Sequence, residues 1–215
     1  MRKSIFDIMI QNKTNFGRKL STMVAAVMLA SVAAMSLVCC SEKTHKYRIG
    51  ISQCSDDSWR QKQNSEFRFM SYINDSVEVD IKSAKDNNAQ QAAQIDSLVD
   101  EGIDLLVVCP NQLDGVTKAI ERAYDKGIPV IFFDRTTNSN KYTAFIGCDN
   151  YRIGFDLGTY IANQLNGSGR VVEIRGLNNS SPAKGRHEGF VDALKNYPDV
   201  KIVASEGADW EQTGA

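Results

Sequence analysis

The chain has 215 residues, 42% of them hydrophobic, and 25 Lys plus Arg against 26 Asp plus Glu leave a net charge of -1. That length is ample for one core and allows one or two domains. The near-neutral balance removes any electrostatic case for binding nucleic acid and leaves a neutral ligand open.

Residues 1–40 differ from the rest. Arg2, Lys3, Lys13, Arg18 and Lys19 make a basic start, Leu20 to Cys40 carries no charge, and charge returns at Glu42 and Lys43. A basic flank followed by an apolar run is the pattern of a secretory signal, with Met9 as an alternative start. The run is close to the ~20 residues that span a bilayer, so an uncleaved N-terminal anchor competes with that reading, and a buried core helix is a third.

From Tyr47 the chain becomes regular. Tyr47 to Ser52 reads as a strand, and Gln53 to Ser58 as a polar turn. Trp59 to Ile73 reads as a helix from the spacing of Phe67, Met70 and Ile73. Val77 to Ile81 alternates as a strand does. Asn88 to Glu101 is a helix with Ala92, Ile95, Leu98 and Val99 on one face, stopped by Gly102. Asp104 to Val108 is a continuous apolar run, the mark of a strand buried on both faces. The spacing predicts a helix from Leu113 to Lys126, stopped by Gly127, then strands at Pro129 to Phe133 and Ala144 to Gly147. Tyr151 to Leu165 reads as a helix, Arg170 to Ile174 as a strand, Pro182 to Tyr197 as a helix and Val200 to Ala204 as a strand. This alternation predicts an α/β fold of parallel, doubly wound sheets joined by right-handed crossovers.

Ligands bind open α/β sheets beyond the carboxyl ends of their strands. The segments there are Cys54 to Trp59, Pro110 to Asp114, Asp134 to Thr136, Cys148 to Asn150 and Gly176 to Arg186. They hold amides, carboxylates, arginines and a tryptophan. Carboxylates and amide oxygens accept from sugar hydroxyls, Arg donates in a fixed fork, and an aromatic face covers the C–H side of a sugar ring. Each residue also has a plainer reading: Asp134 and Arg135 as a local ion pair, Trp59 as the first core residue of its helix, Arg186 as a solvated helix charge. There is no GxSxG elbow, Walker loop, HExxH or GxGxxG, so no catalytic set, metal or cofactor is expected. Asp56 and Asp57 are turn formers rather than an acid/base pair. His45 and His187 are read as solvated. Cys54, Cys109 and Cys148 are read as buried free thiols gathered at one end of a sheet, with Cys54 and Cys109 within bridging range.

These segments resemble the ribose-binding-protein-like, type 1 periplasmic binding proteins, over about residues 47 to 215. Pro129 to Arg135 carries the resemblance most specifically, with Gly147-Cys148-Asp149-Asn150, Gly154 and Gly158 like the crossover into a second lobe, and Ala183 to Phe190 like a helix start. The resemblance implies a two-lobed fold: residues 41–149 form the N-terminal lobe and 150–215 part of the C-terminal lobe. It implies sugar contacts at Asp56, Trp59, Asp134, Arg135, Arg186 and Trp210. Leu37-Val38-Cys39-Cys40-Ser41 resembles a lipoprotein lipobox, with Cys39 where Gly, Ala or Ser is usual, which implies lipid attachment at Cys40. Tyr47 to Asp57 with Trp59-Arg60 is similar to the start of the periplasmic sensor domain of hybrid two-component regulators of Bacteroides type.

The resemblance therefore implies a sugar-binding, non-enzymatic protein of the periplasm or cell envelope, held to the membrane by its anchor or lipid. Its partner is a histidine kinase module if it senses, or an ABC permease if it delivers sugar to a transporter. A lac-repressor-like regulator would need a DNA-binding segment where the apolar run stands. An enzyme on a doubly wound sheet is a further rival. With strands only at Arg170 and Val200, the second lobe is expected to be incomplete, to leave apolar helix residues uncovered and to bind sugar poorly by itself.

Overall fold

The computed structural model describes residues 46–214. The basic start, the apolar run, Met9, the Cys40 motif and His45 lie outside the described residues.

Five parallel strands, β1 (Tyr47–Gln53), β2 (Val77–Ser83), β3 (Leu105–Val108), β4 (Val130–Phe133) and β5 (Ala144–Ile146), form the first sheet in the order β2-β1-β3-β4-β5. The connecting helices are α1 (Ser58–Ile73), α2 (Asn88–Asp100) and α3 (Thr117–Asp125). The short apolar runs of β3 and β4 sit at the centre because helices cover them. Leu106, Val108, Val130 and Phe132 pack with Ile95 and Leu98 of α2 and Ile120 and Ala123 of α3 in one buried cluster. Parallel strands buried in this way need no polar face. Polar caps start two of the helices: Asp57 accepts from Arg60 N and Asn87 from Gln90 N, each at 2.9 Å. Gly102 and Gly127, just past α2 and α3, take φ of 79° and 85°, the left-handed turn that ends a helix.

After β5 the chain enters α4 (Asn150–Gln164), β6 (Ser168–Arg175), α5 (Ser181–Leu194) and β7 (Asp199–Gly207). β6 and β7 pair in parallel as a sheet of two strands among the described residues. Phe190, Leu194, Ala162 and Val200 are its core. α4 and α5 cross with their backbones touching: a Cβ added at Gly154 would overlap the carbonyl of Arg186, and one at Gly189 the carbonyl of Tyr151. Leu157 and Tyr160 of α4, Val172 and Ile174 of β6, and Val203 of β7 are exposed, the incomplete cover expected of so small a sheet.

Two helix ends differ from the sequence-based expectation. α3 starts at Thr117, not Leu113, because Leu113 is held from outside a helix. Its N–H donates to Asn179 O at 2.9 Å, and its carbonyl accepts from Asn138 N at 3.2 Å. α5 ends at Leu194, and residues 195–197 close it with tighter bonds such as Tyr197 N to Leu194 O, 2.9 Å.

Candidate functional site

A cavity of about 370 Å³ opens at the carboxyl ends of the strands, within the size range of small-molecule sites. From the first lobe it takes Trp59, Arg60, Asp86, Asp134 and Arg135, with Ser55, Asp57 and Ser58 at the start of α1; from the second it takes Pro182, Arg186, Asp209, Trp210 and Glu211. Nearby, Thr136 N donates to Ser181 Oγ at 2.9 Å, tying the loop after β4 to α5.

The backbone around the cavity is unusual. Among the described residues six non-glycine positions have positive φ, and four of them, Asp86 (62°), Asp134 (65°), Asp209 (51°) and Trp210 (68°), line it. At Asp134 the Arg135 N–H returns to Phe133 O at 2.7 Å, a three-residue turn around a left-handed residue. Such turns are strained and persist where the surrounding structure holds them; their clustering points to a functional site.

Asp134 aims its carboxylate into the site, where Oδ2 accepts from Arg60 NH2 at 2.6 Å. The Arg60 side chain is 3% exposed and that of Asp134 40%. Arg60 also donates to Gln63 Oε1 at 3.0 Å. Arg135 is buried and donates to Asn111 O at 3.1 Å. So Asp134 pairs with Arg60, not with its neighbour, and the local ion-pair reading fails because the turn at Asp134 sends adjacent side chains apart. Trp59 is 65% exposed, so it is not the core start of its helix. Arg186 is exposed and donates through Nε to Asn150 Oδ1 at 2.9 Å.

Trp210 joins the two lobes' arginines. The guanidinium carbons of Arg135 and Arg186 each lie 5.8 Å from its ring centroid, a cation–π arrangement. Gly176 sits against the ring, and a Cβ there would overlap several of its atoms.

Five of the six sequence-predicted contacts come together: Trp59, Asp134, Arg135, Arg186 and Trp210. Asp56 does not. It is exposed and outside the lining, because Asp57 takes the inward position by capping α1 and accepting from Ser55 Oγ at 2.6 Å. Sequence reading missed Asp57, Arg60, Asp86, Asp209 and Glu211. Asp86 follows β2, a strand end left unread although the same rule applies to it. With these residues the lining holds Asp57, Asp86, Asp134, Asp209 and Glu211 against Arg60, Arg135 and Arg186. Burial raises the Asp86 carboxyl above the usual range, against the pull of Arg135. Burial also raises Asp57, but bonds from the Ser55 hydroxyl and the Arg60 amide outweigh it and hold that carboxyl low.

Cys54 and Cys109 are buried with sulfurs 3.7 Å apart, within the expected range. Cys148 is exposed, which corrects the buried reading: it follows β5, the edge strand of the first sheet. His187 is not simply solvated, since its Nδ1 lies 2.8 Å from Glu173 Oε2.

Residues 51–215 match the family described as periplasmic binding protein domain. The chain is similar to the xylitol-binding protein of Mycolicibacterium smegmatis, 24% identical over 201 residues, covering 91% of this chain and 57% of that protein. It is similar to the ribose import binding protein RbsB of Bacillus subtilis, 27% identical over 139 residues, covering 64% of this chain and 44% of that protein. Among solved structures it is similar to the fructose binding periplasmic domain of a hybrid two component system, 47% identical with a TM-score of 0.75, covering 78% of this chain and 56% of that one. The chain thus spans about half the length of the relatives it matches.

Proposed function

The chain belongs to the periplasmic binding protein domain family, and from that premise we propose that it is the sugar-recognising domain of a cell-envelope sensor. The family implies a periplasmic location. The observation that carries the reading is the cavity itself. It presents Trp59, Asp134 and Arg135 from one lobe and Arg186 and Trp210 from the other to the same space.

The proposed ligand is a neutral monosaccharide or polyol. Five carboxylates face three guanidiniums in the lining, so an added phosphate would meet net negative charge, whereas hydroxyls can donate to carboxylates and accept from arginines. Trp59 and Trp210 offer faces for the ring's C–H side. The relatives named above bind fructose, xylitol and ribose by their names, which agrees with that class. In this reading residues 41–149 and 150–215 are two lobes that close about their connections on the ligand, and no bond of the ligand is made or broken.

A sensing role is favoured by the identity of 47% with a sensor domain; its output partner is then a histidine kinase module. Delivery to an ABC permease is the second reading, supported by the similarity to an import binding protein. Export by a signal or anchor, and lipid attachment at Cys40, remain part of the proposal. Titrating the full-length gene product with neutral sugars and their phosphates tests the ligand class. Saturable binding of a sugar phosphate with none of any neutral sugar overturns it.

A further inference from the structure

Cys54 follows β1 and Cys109 follows β3, the parallel strand hydrogen-bonded beside it. Both are buried, and their Sγ atoms are 3.7 Å apart, in contact. The sugar-binding reading uses neither. Yet the groups that touch them line the cavity: Ser55 Oγ is 3.7 Å from Cys54 Sγ, and Asp134 Oδ2 is 3.9 Å from Cys109 Sγ. The pair therefore lies one side-chain layer beneath the cavity floor.

The surroundings treat the two thiols differently. The hydrogen bond from Cys109, aided by Arg135 and Arg60 and opposed by burial, lowers Cys54 to about 6. Burial pushes Cys109 well above the usual thiol range. The surroundings thus favour the thiolate at Cys54 and the thiol at Cys109, the division of roles between an attacking and a resolving sulfur. A metal reading fits poorly, because the two guanidiniums repel a cation. Among the described residues no group of three or more His, Cys, Asp or Glu side chains gathers as a metal site.

We propose that Cys54 and Cys109 are a redox pair that closes to a disulfide beneath the ligand floor and so couples the redox state of the envelope to ligand affinity. On local opening of the floor, the Cys54 thiolate attacks one sulfur of a small disulfide such as oxidised glutathione. A mixed disulfide forms, and one glutathione thiolate leaves and takes up a proton. Cys109 then loses its proton and attacks the Cys54 sulfur, which releases the second glutathione thiol. One disulfide is consumed and one is made, and two electrons pass from the protein to the reagent. The periplasm sustains such bonds.

Closing the sulfurs to a ~2.05 Å bond draws the ends of β1 and β3 together. It also removes the Cys54 charge from beside Arg60 and Arg135, both of which line the cavity. Oxidation thereby changes the site, and by linkage a bound ligand changes the oxidation equilibrium of the pair by the same factor.

The coupling rests on the proposed sugar site, whereas disulfide formation does not, and the test keeps them apart. The full-length gene product is equilibrated across ratios of reduced to oxidised glutathione, acid-quenched, digested and mapped by mass spectrometry. The expected product links the peptides of Cys54 and Cys109. It forms in the wild type and in Cys148→Ser and disappears in Cys54→Ser and Cys109→Ser. The pair is overturned if both thiols stay free at the most oxidising ratio in the unsubstituted chain, or if either links to Cys148 instead. Fructose affinity of the oxidised and reduced forms is then expected to differ at least about 5-fold. Equal affinities overturn the coupling. The peptide map is read whether or not fructose binds.

Discussion

Asp134→Ala is expected to destabilise the protein more than Arg60→Met, although both break the same ion pair. The pair is 2.6 Å long, with Arg60 3% exposed and Asp134 40% exposed. Removing Asp134 strands a buried guanidinium. The cost of leaving a buried charge unpaired is about 3–5 kcal/mol, and because Gln63 still accepts from Arg60, the lower end, about 3 kcal/mol, is expected. Removing Arg60 leaves a carboxylate that water already reaches, while methionine fills the apolar part of the space, so the expected cost is about 1 kcal/mol. For a domain of this size each kcal/mol moves Tm by about 2–4 °C, so the shifts are about 6–12 °C and about 2–4 °C. Thermal and urea unfolding followed by circular dichroism at pH 5, which suppresses the Cys54 thiolate as a rival anion for Arg60, measure both. If Arg60→Met costs as much as Asp134→Ala, or if Asp134→Ala costs under about 1 kcal/mol, the burial asymmetry does not govern this pair.

Gly176→Ala is expected to displace the Trp210 ring, since the added Cβ overlaps it; ligand affinity should fall and Trp fluorescence shift, with little loss of stability because Trp210 is half-exposed. Trp59→Ala should lower affinity while leaving Tm within about 2 °C, because an exposed side chain contributes little to folding; a large drop in Tm would return Trp59 to a structural role. Alkylation of Cys54 after cavity opening should rise with pH through about 6, as more thiolate forms between its Arg60, Arg135 and Cys109 neighbours. A profile that rises only near the ordinary thiol range, about 8.5, would mean that neither the Cys109 hydrogen bond nor the arginines stabilise the Cys54 thiolate.

The architecture of the first lobe was legible because its strands carry unambiguous patterns. Leu105–Val108 and Val130–Phe133 are short apolar runs bounded by turn residues, and they occupy the buried centre. The start of α3 was not legible, since the residues that hold Leu113 out of the helix, Asn138 and Asn179, are remote in sequence. The choice between Asp56 and Asp57 depends on which carboxylate caps α1, a difference of one residue that periodicity does not resolve. Arg60 reads as an ordinary exposed helix charge until α1 is laid against the turn at Asp134. Trp210 was legible only through the family resemblance, and its place between two arginines depends on Gly176 and on how the lobes meet.

Trp59, Asp134, Arg135, Arg186 and Trp210 are proposed to bind a neutral sugar, and isothermal titration of the full-length gene product, unsubstituted and as Arg135→Ala, measures that binding. Arg135 is buried and its removal leaves polar partners unpaired, so a loss of about 2–5 kcal/mol in binding is expected, roughly 30- to 5,000-fold. Saturable binding of a neutral monosaccharide such as fructose, and its near-abolition in the variant, are expected. An affinity for that sugar unchanged by Arg135→Ala would contradict it.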